Sequence, residues 1–273
     1  MENASDEVIK QILIQSNENQ IKLLCSTNKR FSSLCSDQKF MEYVYHQKVE
    51  NTFSQDIINL KEPGMSWKEF YIRVLNFKNA PLSPNEYCIF GKLFELKLYT
   101  NMNPSSLPTV HGANHSAGHG YLEMLKYIVS LGILPTVHGA NLAARGGHLK
   151  ILKYLVFLGI RPTPDGANFI AMNGHLDILK YLVSLGIYPT PYCADLTAEN
   201  GHLDILKYLV SLNILPTSFG ADLAARDGHL DILQYLVSLN ILPTLQGANW
   251  AAKHRHLNVL RYLVSLNISS TSQ

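Results

Sequence analysis

Charge of one sign and long hydrophobic runs are both scarce in this sequence. A formal net charge of +2 over 273 residues gives no electrostatic reason to expect nucleic acid as a partner. The apolar stretches are short and are broken by Lys or Gln, so none is long enough to cross a membrane. The polar start MENASDE lacks the apolar core of a signal peptide. We therefore expect neither nucleic acid nor a membrane among the partners.

Cysteine is also scarce. The sequence contains four cysteines, Cys25, Cys35, Cys88 and Cys193. Their spacing is typical neither of a metal site nor of a small domain held together by disulfides. This usage predicts reduced thiols and a cytoplasmic or nuclear protein.

What the sequence does have is a strict internal period. The dipeptide Pro-Thr recurs every 27 residues, at Pro108, Pro135, Pro162, Pro189, Pro216 and Pro243. Six copies follow one another without an insertion, and we number the places of each copy from its Pro. Such a period is typical of a solenoid, in which each unit buries its apolar face against its neighbours.

Each copy predicts two helices. The second carries a broad apolar stripe, which in the third copy includes Leu176, Leu179 and Leu182. It ends at Gly or Asn at the twenty-fifth place, because these residues tolerate the left-handed conformation of a helix C-terminus. The first has Ala at the sixth and tenth places, such as Ala167 and Ala171. Thr at the second place is expected to cap this helix, and Gly at the thirteenth place to make the turn. The predicted unit is a short helix, a turn, a longer helix and a tight return.

These residues resemble a known family. The pattern GHL-x-IL-K-x-L-x-x-x-G of residues 174–186 is similar to the ankyrin repeat, whose usual length is about 33 residues. That family carries a β-hairpin and a T-P-L-H turn where this chain has only Pro-Thr followed by GAN or GAD. The resemblance implies an all-α, ankyrin-like helical solenoid of six 27-residue repeats without long β-hairpins, over residues 108–273.

Residues 1–80, which we call the head, do not share the period. An acidic start is followed by Val8, Ile9 and Ile12 at helical spacing, then by the runs LCSTNKRFSSLCSDQKF and SWKEFY. This layout resembles the F-box, a small helical module, although Phe31 stands where the module usually has Trp and its opening Leu-Pro is missing. The resemblance implies docking on the adaptor subunit of a cullin-RING ubiquitin ligase. The residues it assigns to docking are Val8, Ile9, Ile12, Leu23, Leu24 and Phe31.

Residues 81–107 are expected to form a linker and a degenerate capping repeat. Ser83-Pro84 is a helix-start signal, and terminal units of a repeat array are usually atypical. The alternative for the whole N-terminal part is a small helical domain that only caps the solenoid.

Two sets of histidines invite a test for chemistry. The first recurs at the fourteenth place, as His148, His175, His202, His229 and His256, and we expect these side chains to bond to the backbone of a neighbouring unit. The second is His111, His115 and His119, at i, i+4 and i+8, where two imidazoles could hold a metal. The eighth place, held by His115, is Leu, Phe or Trp in the other copies, so we predict no metal and no other cofactor.

Repetition argues against catalysis, because an active site needs unlike groups that converge. No phosphate-binding loop, nucleophile elbow or Cys-His arrangement is present, and we predict a non-enzymatic protein.

Binding is the better hypothesis, since places that vary among the copies are not needed for stacking. The fourth and eleventh places lie on one helix face, which resembles the concave face that ankyrin proteins use. The predicted partner-binding residues are Asp165, Tyr192, Phe219 and Gln246 at the fourth place and Arg145, Met172, Glu199, Arg226 and Lys253 at the eleventh. Tyr192 and Phe219 would form an aromatic patch flanked by Arg145 and Arg226, the residue types favoured at binding hot spots. The alternative is that these are tolerated surface changes.

The F-box-like head joined to the repeats, together with its wording FSSLC and SWKEFY, looks like the ankyrin proteins encoded by large DNA viruses. That resemblance implies a monomeric adaptor in the cytoplasm or nucleus of a host cell, with a target protein on the array and a ubiquitin ligase on the head. The alternative function is a non-enzymatic scaffold or structural protein.

Overall fold

The computed structural model describes residues 5–79 and 82–268. Over these ranges the chain forms helices joined by turns and no β-strand, so the predicted all-α helical solenoid class is confirmed. The chain divides into two compact parts, an N-terminal part Met1–Pro108 and a C-terminal part Thr109–Gln273. The predicted boundary between residues 80 and 81, and the end of the array at 269–273, lie outside the described residues. None of the described helices is long and apolar enough to span a membrane.

The N-terminal part contains eight helices among its described residues. They are α1 Asp6–Gln15, α2 Glu18–Thr27, α3 Lys29–Ser36, α4 Gln38–Thr52, α5 Gln55–Ile58, α6 Trp67–Asn79, α7 Pro84–Ile89 and α8 Leu93–Met102. The last two helices belong to this N-terminal part. Arg73 on α6 donates two hydrogen bonds of 2.8 and 3.0 Å to the carboxylate of Glu95 on α8.

A buried lysine joins two helices of the head. Lys48 on α4 is 3% exposed, and its Nζ donates to the backbone oxygens of Leu13, Ile14 and Ser16 at 3.2, 2.8 and 2.5 Å. These are carbonyls at the C-terminal end of α1, where the helix dipole favours a cation. Burial lowers the pKa of Lys48. The lysine thus ties α1 to α4 around the apolar core of the head.

The prediction of reduced thiols is wrong for two cysteines. Cys25 and Cys35 form a disulfide, with their Cα atoms 6.0 Å apart. The pairing arises because α2 and α3 pack against each other across Asn28, which ends one helix and caps the other. Their separation of 10 residues conceals this, since only the fold of the helix pair brings them together. Cys193 remains a buried thiol, and burial raises its pKa to about 11.

The C-terminal part contains six repeats of two helices each, and each repeat is called a unit below. They are α9 Val110–Gly118, α10 Leu122–Ser130, α11 Val137–Arg145, α12 Leu149–Phe157, α13 Pro164–Met172, α14 Leu176–Ser184, α15 Tyr192–Glu199, α16 Leu203–Ser211, α17 Ser218–Asp227, α18 Leu230–Ser238, α19 Leu245–Lys253 and α20 Leu257–Ser265. The core lies between successive units, where the Ala at the sixth place of each unit and Ile178, Leu179 and Leu182 of α14 have no exposed surface.

The two helices of a unit are equally long in four units, and in the fourth and fifth units the first helix has 8 and 10 residues against 9 in the second, which corrects the predicted short and longer pair. In the third unit α13 and α14 each have 9 residues. The reason is that the first helix begins directly after the Thr at the second place. Thr217 and Thr244 cap their helices by accepting from the backbone N–H of Phe219 and Gln246, at 3.2 and 3.1 Å.

The predicted left-handed turns are confirmed. Gly174 at the thirteenth place and Gly186 at the twenty-fifth have φ of 83° and 78°. Asn213, Asn240 and Asn267 replace Gly at the twenty-fifth place and have φ of 62°. These positive φ values end each helix and reverse the chain.

The fourteenth-place histidine bonds to the previous unit, as predicted. His202 Nε2 lies 3.0 Å from the Met172 carbonyl oxygen, and His148 Nε2 lies 3.1 Å from that of Gly118. The ring also covers the turn glycine of the previous unit, because a Cβ added to Gly174 would come within 2.9 Å of His202. This histidine is a structural contact between units.

A ladder of hydrogen bonds joins neighbouring units through the side chain at the seventh place. The seventh place is always Asn or Asp, and its oxygen accepts from the backbone N–H of the Thr that follows 22 residues later. The Asp222 carboxylate accepts from the N–H of Thr244 at 2.6 Å and from its hydroxyl at 2.7 Å. The Asn141 side-chain oxygen accepts from the N–H of Thr163 at 3.0 Å, and the Asn141 amide nitrogen donates to the Thr163 hydroxyl oxygen at 3.1 Å. We call these contacts the Asn/Asp–Thr ladder.

Replacing Asp222, which is 5% exposed, tests the ladder. Asp222→Leu removes two hydrogen bonds and leaves the Thr244 N–H without its acceptor, so we expect the free energy of unfolding to fall by about 2 to 3 kcal/mol in urea titrations followed by circular dichroism. Asp222→Asn is the matched control, because Asn fills this place in the first three units, and it should retain most of the stability. An equal loss in both variants would contradict the ladder.

Candidate protein-binding face

The first helices of the six units present one shared surface to solvent. We call it the variable face and define it by the fourth, eighth and eleventh places, which are one turn apart on each helix. Every side chain at the fourth place is exposed, and the two aromatic ones, Tyr192 and Phe219, are 56% and 44% exposed. Tyr192 begins α15 and Phe219 lies at the start of α17, and these two helices pack against each other. The structure therefore presents both aromatic rings to solvent in adjacent units.

The eighth place also belongs to this face and was missed as a binding position. Phe169 is 39% exposed, and the Arg145 guanidinium carbon lies 5.5 Å from the centre of its ring. Arg226 lies over Trp250 in the same way, at 5.9 Å. An arginine at the eleventh place therefore covers the aromatic ring at the eighth place of the next unit. The signal was present in the sequence, since the eighth place varies among Leu, His, Phe and Trp.

Glu199 and Arg226 were predicted to face a partner, and the structure shows them paired with each other. Arg226 donates from Nη2 to Glu199 and also to the carboxylate of Asp227 at 2.8 Å. The guanidinium lowers the pKa of Asp227, and the two carboxylates raise that of Arg226. The cause is the register of the repeat, because the eleventh places of neighbouring units lie side by side. These two residues are therefore half-buried structural partners, not free contacts.

Arg145, at the same place three units earlier, has a different environment. It forms no ion pair within the described ranges, and Lys253 at the eleventh place of the last unit is exposed as well. Beside Arg145 lies a shallow groove of about 210 Å³, lined by His138, Asn141, Leu142, Arg145 and Phe169. Asp165 and Gln246 are exposed and Met172 is half-buried. The groove combines a cation with an aromatic wall.

The histidines of the first unit stack along α9. The ring centres of His111 and His115 are 4.3 Å apart, and those of His115 and His119 are 5.7 Å apart. Burial lowers the pKa of His115, and so does the charge of His111, His119 and His138. Over residues 5–79 and 82–268, no three His, Cys, Asp or Glu side chains are grouped so that they could hold a metal ion. The imidazoles form a cluster with like charge when protonated.

The return loops add an apolar border that was not predicted. Leu134, Tyr188, Leu215 and Leu242 stand at the last place of their units and are 46 to 51% exposed. They directly precede the Pro-Thr that leads into the next first helix. Large apolar side chains are therefore exposed at this place in four units, and Arg161 stands there in the second unit.

The six predicted docking residues of the head divide by burial. Val8 and Leu23 are 49% and 62% exposed, and Ile12 and Leu24 are partly buried against the core. Ile9 and Phe31 have no exposed surface. These last two are core residues, because they point inward between the packed helices, and they cannot contact a partner in this conformation.

Comparisons with known proteins give distant similarities. No protein-family model and no curated protein matches the sequence. The human ASB11 ankyrin repeat domain is similar in structure, with 13% identity over 58% of this chain and 83% of that one, at a TM-score of 0.47. The pentatricopeptide repeat protein PPR10 in complex with an 18-nt psaJ RNA element has 14% identity over 98% of this chain and 49% of its own, at a TM-score of 0.43. The chain thus spans about half of PPR10.

Acid should destabilise the natural chain more than a His115→Phe variant. The folded state lowers the pKa of His115, so below the ordinary value of about 6.5 the unfolded chain binds more protons. The resulting loss of stability begins as the pH falls below about 6.5 and is absent above it. We expect the melting temperature of His115→Phe, relative to that of the natural chain, to be higher at about pH 5 than at about pH 7.5.

Phe stands at this place in the third unit, so the variant should keep the packing. His254→Gln, at an exposed site, serves as the control. A difference between His115→Phe and the natural chain that stays constant with pH would refute the prediction.

Proposed function

We propose that this chain is a non-enzymatic adaptor whose variable face binds a target protein. The observation that carries the proposal is that different places of the repeat contact the neighbouring units and the solvent. The seventh place, which hydrogen-bonds to the next unit, is always Asn or Asp, whereas the fourth place carries His, Asp, Tyr, Phe or Gln and is always exposed. Tyr192 and Phe219 supply aromatic surface of the kind that dominates protein interfaces.

The spacing of the units supports a partner with an extended segment. Packed helices lie about 8 to 10 Å apart, and an extended chain advances about 3.3 Å per residue. A segment that runs along the array would therefore offer about every third side chain to one unit. Tyr188 and Leu215 in the return loops each lie four residues before a member of the aromatic pair and are 51% and 49% exposed, so they can continue the apolar contact.

The double variant Tyr192→Ala/Phe219→Ala tests target binding. Both side chains are exposed, so the fold should be retained while affinity capture of the target from cell lysate falls by at least about tenfold, measured by quantitative mass spectrometry. Phe157→Ala is the matched control, since Phe157 is 84% exposed and lies at the end of a second helix. Undiminished capture by a double variant with an unchanged circular dichroism spectrum would refute this role of the face.

We further propose that the head docks on the adaptor subunit of a cullin-RING ubiquitin ligase. Support comes from the resemblance to the F-box and from the exposure of Leu23 and Val8, with Ile12 and Leu24 behind them. Under this proposal the protein acts in the cytoplasm or nucleus of a host cell, where glutathione is expected to open the Cys25–Cys35 disulfide. Asn28 caps α3 with two hydrogen bonds of 3.0 and 3.3 Å, and these remain after reduction.

Leu23→Asp in the full chain tests ligase docking. A carboxylate on this exposed site should leave the fold intact and abolish co-capture of the ligase adaptor and cullin, detected by immunoblot. Lys22→Asp, the neighbouring exposed residue on α2, is the control for added charge. Ligase capture that is equal in both variants, or absent from the folded natural chain, would refute docking through this surface.

One observation favours a scaffold as the second candidate. Leu257 and Val264 on α20 are 65% and 60% exposed, whereas Leu230 and Val237 at the same places of the fifth unit are half-buried. An oligomer whose size grows with concentration, measured by light scattering, would favour assembly through this end over a monomeric adaptor.

A further inference from the structure

The first two units carry the cationic and ionisable groups of the variable face without acidic partners. His111 and His115 lie on α9, His119 is the C-cap residue of that helix, and His138 and Arg145 lie on α11, which packs against α9. No carboxylate within the described ranges forms an ion pair with any of these five residues.

The charged groups on the surrounding helices have other partners or lie apart. On α10, Glu123 pairs with Lys126 at 2.7 Å. At the turn before α10, Tyr121 stacks on His119 with ring centres 5.8 Å apart. On α13, Asp165 is exposed and forms no ion pair. Before α12, His148 is held by the Gly118 carbonyl at 3.1 Å.

The fifth unit shows what a compensated arginine looks like in this array. Arg226 occupies the same place as Arg145 and covers the same kind of aromatic ring, but it is also paired with Glu199 and Asp227. At the corresponding places around Arg145 the chain has Gly118 and Gly146, which offer no carboxylate. The described part of the array thus supplies no carboxylate to Arg145 at either of the places that pair with Arg226.

We infer that the surface formed by His111, His115, His119, His138 and Arg145 binds the carboxylates of an acidic segment in the partner protein, and binds them more tightly as the pH falls. The inference rests on the proposed function, since it assigns a charge to the target that the variable face holds. It places the acidic part of that target at the N-terminal end of the array and the apolar part at Tyr192 and Phe219.

The geometry suits a carboxylate. The Arg145 guanidinium lies against the Phe169 ring, which leaves its N–H fork available for a bidentate pair. The groove beside it, about 210 Å³ with His138 on its wall, has room for one acidic side chain.

The histidines add the pH dependence. Imidazole gains its proton between about pH 5 and 8, and the pKa of His115 is lowered first by burial and then by repulsion from the charges of His111, His119 and His138. A bound carboxylate offsets this repulsion, so binding takes up protons and tightens in acid.

The experiment uses the full chain and a rhodamine-labelled peptide of alternating Glu and Ser, with fluorescence anisotropy as the readout. Glu remains largely ionised at about pH 5.5, so a change in affinity reports on the protein. We expect the peptide to bind about fivefold more tightly at about pH 5.5 than at about pH 7.5 at constant ionic strength. Arg145→Gln should weaken binding at both pH values, and His111→Gln/His138→Gln should remove most of the difference between them.

Lys150→Gln is the matched control, because Lys150 is an exposed cation on α12, outside the variable face, and should leave peptide binding unchanged. A peptide of alternating Lys and Ser should not bind. Equal affinity at both pH values, no binding of the Glu peptide, or an equal loss in Lys150→Gln and Arg145→Gln would each overturn the inference. None of these results would depend on target capture through Tyr192 and Phe219, so this inference and the proposed function can fail separately.

Discussion

The Asn/Asp–Thr ladder is the constraint on which the array depends. A buried amide or carboxylate oxygen in one unit accepts from the backbone of the next. In four of the five described contacts a glycine lies opposite, and a Cβ on Gly139 or Gly220 would come within 2.5 Å of the Asn114 or Asp195 oxygen. The fourth unit has Cys193 at this place. Because a donor left without its acceptor in a buried contact is costly, the spacing between Asn or Asp and Thr is fixed. The ladder thus explains why Asn or Asp stands at the seventh place of every unit and why no unit contains an insertion.

Much of this fold could be predicted from the sequence, because repetition separates structural residues from the rest. The left-handed Gly and Asn and the histidine bonds were expected on that basis. The Cys25–Cys35 disulfide was not, since it depends on how α2 and α3 pack and the head has no second copy to compare. The pairing of Arg226 with Glu199 was hidden for another reason: only the stacking register shows that they meet. The burial of Ile9 and Phe31 likewise depends on the packing of the head.

Within the array, stability and recognition are carried by different atoms. The ladder, the Ala residues of the first helices and the fourteenth-place histidine hold the stack, and they leave the outer side of each first helix unconstrained. Arg145 and Arg226 illustrate the result, because the same residue at the same place is left open in one unit and is satisfied internally in another. The character of the variable face therefore changes along the array, from imidazoles and a guanidinium, through aromatic rings, to an internally paired ion cluster.

The two polar contacts between units reach a fixed distance along the chain, 22 residues from Asn or Asp to Thr and 30 residues from His to a carbonyl. If residues 163–189 were cut out, Thr190 would take the place of Thr163 opposite Asn141, and His202 would take the place of His175 over Gly147. Every ladder contact would be made again by an equivalent residue. Recombination within the gene can therefore remove or duplicate 27 codons at a time, and each event would change the binding surface by one row of side chains while the stack closes again without new packing.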